Sequence, residues 1–174
     1  MSAPAPARPE PNEYASYYEK YVSLVPDADL VETLERQGAE TLALLRGLDE
    51  EQGAHRYEAG KWSVKQLVGH VNDAERIFSY RALAIGRGDR QPLPGMDQEE
   101  YMAGVDFDAR TLASLADEFE SVRAATLQLL RHLSPEAWAR RGTASDNEVT
   151  VRALAYIIAG HEAHHVRILR ERYL

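Results

Sequence analysis

Apolar residues recur along most of this chain at spacings of three and four, which is the period of an amphipathic helix. The four longest such patterns cover residues 29–48, 63–85, 108–133 and 150–173, and a shorter one with four tyrosines covers 13–24. No stretch alternates with the period of two that a half-buried strand requires. The pattern therefore predicts an all-α fold, a bundle of four long helices crossed by one short segment.

Residues at the ends of these patterns support the boundaries. Ser63 is a good N-cap, and Gln66 three residues later completes a capping box. Asp108 and Thr150 are the predicted caps of the third and fourth helices. The loop GRGDRQPLPGMDQEEY, residues 86–101, is long enough to predict a functional or crossover loop.

Composition limits the domain organisation and the cellular setting. The Ala/Pro-alternating lead, residues 1–11, is predicted to be disordered because repeated proline removes backbone donors, and residues 12–174 are long enough to form one domain. No segment approaches the roughly 18 uncharged apolar residues that a membrane span needs, and no secretory signal is recognisable. We expect a soluble cytoplasmic protein with no membrane partner.

Charge and cysteine content exclude several chemistries. The formal net charge is −8, and acidic and basic residues are interspersed, which argues against nucleic acid as a partner. The chain has no cysteine, so it supplies neither a thiolate ligand nor a cysteine nucleophile. Any thiol chemistry would need a low-molecular-weight thiol cofactor.

Histidines interrupt the apolar seams of two predicted helices. In the last helix, the positions that otherwise carry aliphatic side chains include His161 and His165, one turn apart. The same register in the second helix places His70 inward. Three buried imidazoles without partners would each leave a polar nitrogen unsatisfied, at about 1–3 kcal/mol, whereas one shared metal ion would satisfy all three.

Three neutral imidazoles suit Zn²⁺ or Ni²⁺ and leave a coordination position open, as in catalytic sites. The competing interpretation is that each is an ordinary hydrogen-bonded core histidine. His164 could replace His165 if the helix is rotated, although it leaves the seam. His55 and His132 lie near loops or helix ends, where a surface role is the simpler interpretation.

His161-Glu162-Ala163-His164-His165 also matches the zinc-protease signature H-E-x-x-H. A protease of this type takes its third ligand from downstream, but only nine residues follow His165, and their one side-chain carboxylate, on Glu171, lies in the same helix. The protease hypothesis is therefore disfavoured. Glu162 is predicted to be a solvated surface residue, with a general-base role as the alternative.

Other residues near these patterns have candidate roles. Asp73, one turn after His70, could accept a proton from an imidazole nitrogen, and Arg81 could bind an anion in the cavity, although an ordinary charge on the helix surface is the simpler interpretation of each. Trp62 is expected to pack at the helix entry. Tyr101 and Met102, at the end of the long loop, either cover a metal cavity or pack the loop down.

Three segments together resemble the DinB/YfiT-like family: GKWSVKQLVGHVNDAERIFSYRAL (60–83), GDRQPLPGMDQEEY (88–101) and VTVRALAYIIAGHEAHHVRIL (149–169). The resemblance implies an up-down-down-up four-helix bundle, often a homodimer, with a divalent metal held by three histidines. On this sequence those match His70, His161 and His165. Relatives include S-transferases that use bacillithiol or mycothiol, and a mycothiol-dependent maleylpyruvate isomerase.

These observations predict a metal-dependent enzyme that acts on a small molecule, either a thiol-dependent S-transferase or a metal-assisted hydrolase. The metal would lower the pKa of a bound thiol or water. Two non-catalytic alternatives remain at the level of sequence: a protein that binds a metal and a small ligand, and a structural dimer whose metal only fills the core.

Overall fold

The computed structural model describes residues 6–174, and most of them are helical. Four long helices carry the fold: α2 (Leu30–Arg46), α4 (Val64–Gly86), α6 (Leu112–Arg131) and α8 (Val151–Ile168). Shorter helices are α1 (Glu19–Val22), α3 (Glu50–Ala54), α5 (Gln98–Ala103) and α7 (Pro135–Ala139). The chain also forms 3-10 turns at Pro11–Glu13, Ser16–Tyr18 and Phe107–Ala109, and a final π-helical turn at Leu169–Tyr173.

Most helix boundaries agree with the sequence pattern because the capping residues form the expected bonds. Ser63 accepts a hydrogen bond from the Gln66 backbone and Gln66 reaches back to the Ser63 backbone, which makes the capping box. Thr150 caps α8 through the Ala153 amide. The third helix is an exception: Thr111 caps it, so the predicted Asp108 cap is wrong.

Asp108 instead ties the chain before α6 to the start of α4. Its carboxylate accepts hydrogen bonds from the Ser63 hydroxyl and from the Arg56 guanidinium, both at 2.5 Å. Asp108 lies within a 3-10 turn, so the backbone turns once more before the long helix begins. Asp108 and Thr111 are both residue types that favour the N-cap position, so the sequence pattern alone did not point to Thr111.

The prediction of a chain without strands is wrong at one place. Strands β1 (Arg141–Ala144) and β2 (Asn147–Thr150) form an antiparallel hairpin between α7 and α8. Ser145 and Asp146, at its turn, both have positive φ, as a two-residue hairpin turn with matching twist requires. Strands of four residues are too short to show a clear alternation. The hairpin also bonds Leu93, which anchors the long loop.

Consecutive long helices are not always neighbours in space: α4 packs against α6, but α2 with α4 and α6 with α8 are not among the extensive pairs. The extensive helix pairs are α4 with α8, α4 with α6, α2 with α6, and α2 with α8. The short helix α1 packs against α8, as the tyrosine-rich segment was predicted to cross the bundle. The pair α4 and α8 therefore shares a long interface at one side of the bundle.

The predicted disordered lead, 1–11, lies partly within the described residues and makes contacts there. Residues 1–5 lie outside the described part of the chain. Arg8 donates hydrogen bonds to the carbonyls of Val22 and Val25, at 2.9 and 2.5 Å, and Pro9 is buried. Proline prevents a helix here but not an extended segment that packs through its side chains. Among the described residues, no helix combines the length and the low polarity that crossing a bilayer requires.

Candidate metal centre

The three histidines selected by the apolar seams meet where α4 packs against α8. The Nε2 atom of His161 lies 3.1 Å from Nε2 of His70 and 3.1 Å from Nε2 of His165. One ring nitrogen from each histidine can be chosen such that all three lie within 4.8 Å of one another. Because His161 and His165 are one helical turn apart, their rings leave the same side of α8.

A close backbone contact fixes this part of α8. Gly160 precedes His161, and a Cβ atom at Gly160 would lie 2.0 Å from the carbonyl oxygen of Tyr21. Only glycine therefore lets α1 approach α8 here. The approach brings the Tyr21 ring edge-on to His161, with 5.2 Å between the ring centroids.

Burial keeps the three imidazoles neutral at neutral pH. It lowers the pKa of His70 to about 4. Burial and then the neighbouring His70 and His164 lower the pKa of His165 to about 3. The pKa of His161 falls well below its usual value for the same reasons, burial first and His165 next. Each ring thus keeps a lone pair that a metal ion can use.

The geometry fits a divalent ion better than it fits hydrogen bonding among the rings. A neutral imidazole has one N–H donor and one acceptor nitrogen, so Nε2 of His161 cannot form a good hydrogen bond with both of its neighbours at once. Zn–N bonds of about 2.0–2.1 Å in a tetrahedral site place ligand nitrogens about 3.3 Å apart. The two Nε2 separations are close to this value.

Aromatic side chains surround the cluster. The rings of Trp62 and Phe78 lie beside it, with centroids 5.0 Å from His70 and 5.9 Å from His161 respectively. Trp62 was expected only to pack at the helix entry. The backbone carbonyl of Trp62 accepts a hydrogen bond from the Tyr173 hydroxyl, so the C-terminal π-helical turn also contacts the segment beside the histidine cluster.

The remaining histidines do not join the cluster. The His164 ring packs edge-on to Tyr21, at 5.3 Å, and it is half-buried. His55 and His132 are exposed, and Nδ1 of His132 lies 2.7 Å from the Gln128 carbonyl at the end of α6. The seam register therefore separates the clustered histidines from the others.

Glu162 is not the solvated residue that was predicted. Its side chain is 1% exposed, and its carboxylate accepts hydrogen bonds from Thr41 at 2.7 Å and Arg123 at 2.8 Å. Burial raises the pKa of Glu162, although Arg123 and Thr41 oppose the rise. Because the carboxylate is occupied by these donors on the side of α2 and α6, it cannot act as the base of an H-E-x-x-H protease in this arrangement.

Two further candidate roles are also corrected. Asp73 lies near Arg76, at 3.8 Å, and makes no hydrogen bond to His70. Arg81 is buried and donates hydrogen bonds to the Pro94 carbonyl and the Ser145 hydroxyl, so it ties the long loop to the hairpin. Both side chains have the charge that suggested a role, but Asp73 has its neighbour on the same helix, and spacing along α4 did not reveal the partners of Arg81 in the long loop and the hairpin.

Two clefts open beside the histidines. One, of about 370 Å³, adjoins His70 and His161, and the other, of about 330 Å³, adjoins His165. Aromatic and apolar side chains form much of both walls: Tyr17, Tyr18, Tyr21, Phe78 and Met96 in the first, and Tyr57, Trp62, Leu67, Ile168 and Tyr173 in the second. Gln98 and Glu99, at the start of α5, line both clefts.

The long loop therefore contributes residues that the sequence analysis did not select. It was predicted to be a functional or crossover loop, with Tyr101 and Met102 either covering a metal cavity or packing the loop down. Met102 packs against a core cluster, and Tyr101 is exposed. Gln98 and Glu99 lie nearer the histidines. The N-cap of α5, Asp97, accepts the amides of Glu99 and Glu100, and this sets where the helix begins. In the sequence, this helix start was indicated by Asp97, a residue type that favours the N-cap, and by the acidic Glu99 and Glu100 in the first turn.

Comparison with known proteins places the chain in a family. The sequence model of the DinB superfamily matches residues 33–169. A protein of Oceanobacillus iheyensis that carries the provisional name metal-dependent hydrolase is 26% identical over 138 residues, which cover 78% of this chain and 77% of the relative.

Two solved structures share the fold. YfiT from Bacillus subtilis, described provisionally as a metal-dependent hydrolase with an unusual four-helix bundle topology, covers 94% of this chain and 91% of its own length, with a TM-score of 0.72 and 18% identity. A mycothiol-dependent maleylpyruvate isomerase matches 83% of this chain and 61% of its own length, with a TM-score of 0.67 and 15% identity. Since the family model spans most of the chain and includes all three clustered histidines, this protein belongs to the DinB superfamily.

Proposed function

We propose that this protein is a metal-dependent enzyme that acts on a small molecule, with His70, His161 and His165 as the ligands of one divalent ion. The observation that carries the proposal is the convergence of three buried, neutral imidazoles whose Nε2 atoms are 3.1 Å apart in two pairs. When bound, the ion would supply Lewis-acid activation of a water or thiol at the position that three protein ligands leave open.

The chain's own residues would bind and orient the substrate. The two clefts have the size of a small-molecule site, and their walls combine aromatic surface with a few polar groups. Glu99 is exposed and has no ion-pair partner among residues 6–174; the Gln98 amide donates to its Oε1 at 3.3 Å, so its second carboxylate oxygen is free to accept a hydrogen bond at the mouth of either cleft. Glu162 is not free in this way, since Arg123 and Thr41 already bind its carboxylate.

The relatives support an enzyme and suggest finer parts of the proposal. The Oceanobacillus protein and YfiT carry the provisional name of metal-dependent hydrolases, and the isomerase depends on mycothiol. We therefore include hydrolysis or thiol-dependent transfer as the reaction, Zn or Ni as the ion, and a low-molecular-weight thiol as the second substrate of the transfer. An up-down-down-up topology and a homodimer are parts of the same proposal.

The proposal is tested by a reaction screen on protein loaded with Zn or Ni. Small aryl esters and amides test hydrolysis, and an electrophilic arene with mycothiol or bacillithiol tests transfer. We expect turnover by wild type and by His164→Ala, and none by chelated wild type or His161→Ala. Equal rates with and without metal would contradict the proposal, and so would metal-loaded protein that turns over none of these compounds yet retains them stoichiometrically.

A further inference from the structure

A buried cluster of three charged side chains connects all four long helices. Arg123 of α6 donates two hydrogen bonds to the Glu75 carboxylate of α4, at 2.9 and 2.8 Å, and one to the Glu162 carboxylate of α8, at 2.8 Å. It also donates to the Leu34 carbonyl of α2, at 2.8 Å. The three side chains are 4%, 3% and 1% exposed, so water does not replace these bonds.

Other residues of α2 are adapted to this cluster. Gly38 leaves space for the arginine, because a Cβ atom there would lie 3.0 Å from both Cγ and Nη1 of Arg123. Thr41 and Gln37 donate to the two oxygens of Glu162, at 2.7 and 3.2 Å. The guanidinium and both carboxylates are therefore satisfied by specific partners, not by chance packing.

Stability alone does not account for such a cluster. Removing charges from water is costly, and buried ion clusters replaced by apolar side chains of similar volume often leave a protein equally or more stable. The cluster also holds two carboxyl groups against one guanidinium, so the acidic groups outnumber the basic one. The cluster instead fixes geometry, because a bidentate hydrogen bond between a planar guanidinium and a carboxylate sets both the distance and the relative orientation of the two side chains.

The cluster is placed to fix the orientation of the two helices that carry the histidines. Glu162 follows His161 directly, and Glu75 lies five residues after His70. A rotation of either helix by about 10° would move an atom about 6 Å from its axis by about 1 Å. Metal–ligand distances tolerate only about 0.2 Å, so a bridge that clamps α4 to α8 bears directly on the separation of the three imidazoles.

We propose that Arg123, Glu75 and Glu162 are positioning residues that hold α4 and α8 in the rotation at which His70, His161 and His165 bind one metal ion. This inference rests on the proposed metal site and adds a function for Glu162, the acidic residue of the H-E-x-x-H match. The residue acts through the helix that bears the ligands, not on the substrate.

The test uses Co²⁺ as a probe of both affinity and geometry. The variants are the apolar replacement Glu75→Leu/Arg123→Met/Glu162→Leu and, in case that variant does not fold, Gly38→Val, which fills the space of the arginine. The matched control is Lys65→Met. Lys65 lies five residues before His70 on α4 and pairs with Glu50 at 2.7 Å. Glu50 also accepts the Leu112 amide at the start of α6, but neither residue of this pair makes a hydrogen bond or an ion pair to α8.

Three measurements are made on the full chain: circular dichroism and thermal unfolding without metal, the Co²⁺ dissociation constant by competition with a chelator, and the visible absorption of bound Co²⁺. Folded cluster variants should bind Co²⁺ about 10-fold or more weakly than wild type, with a changed absorption spectrum, as when residues that orient ligands are removed. Lys65→Met should keep both the wild-type dissociation constant and the spectrum.

The outcomes separate the inference from the proposal on which it rests. If wild type binds no Co²⁺, Zn²⁺ or Ni²⁺, the metal site itself is refuted. If wild type binds Co²⁺ and a folded cluster variant binds it with the same dissociation constant and spectrum, the positioning role is overturned while the metal site stands. A loss of affinity equal to that of Lys65→Met would also overturn it, because the effect would not be specific to the cluster.

Discussion

Gly160 shows how a single residue decides whether the metal centre can be assembled. The Tyr21 backbone occupies the space where any side chain at position 160 would begin, with its carbonyl oxygen 2.0 Å from the ideal Cβ position. Backbone atoms cannot move aside as the end of a flexible side chain can. The tyrosine wall of the first cleft therefore depends on the lack of a side chain one residue before His161.

We predict that Gly160→Ala destabilises the fold because α1 must move away from α8. Overpacking of this kind costs about 1–3 kcal/mol, which lowers the melting temperature of a domain of this size by about 2–10 °C. Gly104→Ala is the control, since its Cβ atom would meet only ordinary contacts at 3.5 Å. Equal melting temperatures for the two variants would show that the α1 contact is not as close as described.

Single residues also show what the sequence can and cannot reveal. The three histidines could be selected because a polar residue in an apolar seam has to find a partner. Arg123 gave the same signal, since it follows Phe119 by four residues in the apolar register of α6, but its partners lie on three other helices. The sequence did not indicate that Glu162 is buried, because its neighbours on α8 do not show that Arg123 and Thr41 face its carboxylate.

At the scale of elements, the hairpin before α8 is the main departure from the predicted all-helical chain. Its turn places two non-glycine residues at positive φ, Ser145 at 50° and Asp146 at 61°. Asp tolerates this conformation better than most residues because its short polar side chain can bond locally. The hairpin matters for the site because the Ser145 amide donates to the Leu93 carbonyl and so holds the long loop.

We predict that Asp146→Val destabilises the protein by about 1–2 kcal/mol, since a β-branched residue is strained at positive φ. Asp146→Gly should be neutral or stabilising, because glycine adopts this conformation without strain. Glu148→Val, at an exposed and extended position of β2, is the matched control and should change stability by less than about 0.5 kcal/mol. Thermal unfolding measures the stability of the three variants. Wild-type stability of Asp146→Val would contradict the assigned turn.

The long helices were predictable because their periodicity extends over several turns and their caps follow known chemistry. Ser63, Gln66 and Thr150 each make the bond that their position suggested. The short elements were not predictable in the same way. Two strands of four residues and a helix of six leave too few positions for a pattern, and tertiary contacts with Leu93 and the α4 helix decide their form.

At the scale of the whole molecule, a bound ion should stabilise the fold, because the unfolded chain does not hold the three imidazoles together. Free metal at 100 times its dissociation constant adds about 2.7 kcal/mol, which corresponds to a rise in melting temperature of about 5–10 °C for a chain of this length. We expect this rise in wild type and His164→Ala, and its absence in His70→Ala. A rise of equal size in His70→Ala would place the metal elsewhere.

The bundle brings together residues that are 91 positions apart in the chain, His70 and His161, through the long interface of α4 and α8. That two inward histidines on separate helices would meet could be predicted, because seams of neighbouring helices face each other. The sequence could not predict which helices are neighbours, because order along the chain does not decide it: the consecutive long helices α2 and α4 do not form one of the extensive contacts. The spacing of apolar residues along each helix therefore left the choice of neighbouring helices open.

The measurement that tests the central claim most directly is elemental analysis by mass spectrometry of protein purified without a histidine tag. The account predicts about one Zn or Ni per chain in wild type and in His164→Ala, and loss of that metal in His70→Ala, His161→Ala and His165→Ala. No metal in wild type after incubation with Zn and Ni, or metal retained in the three histidine variants, would contradict it.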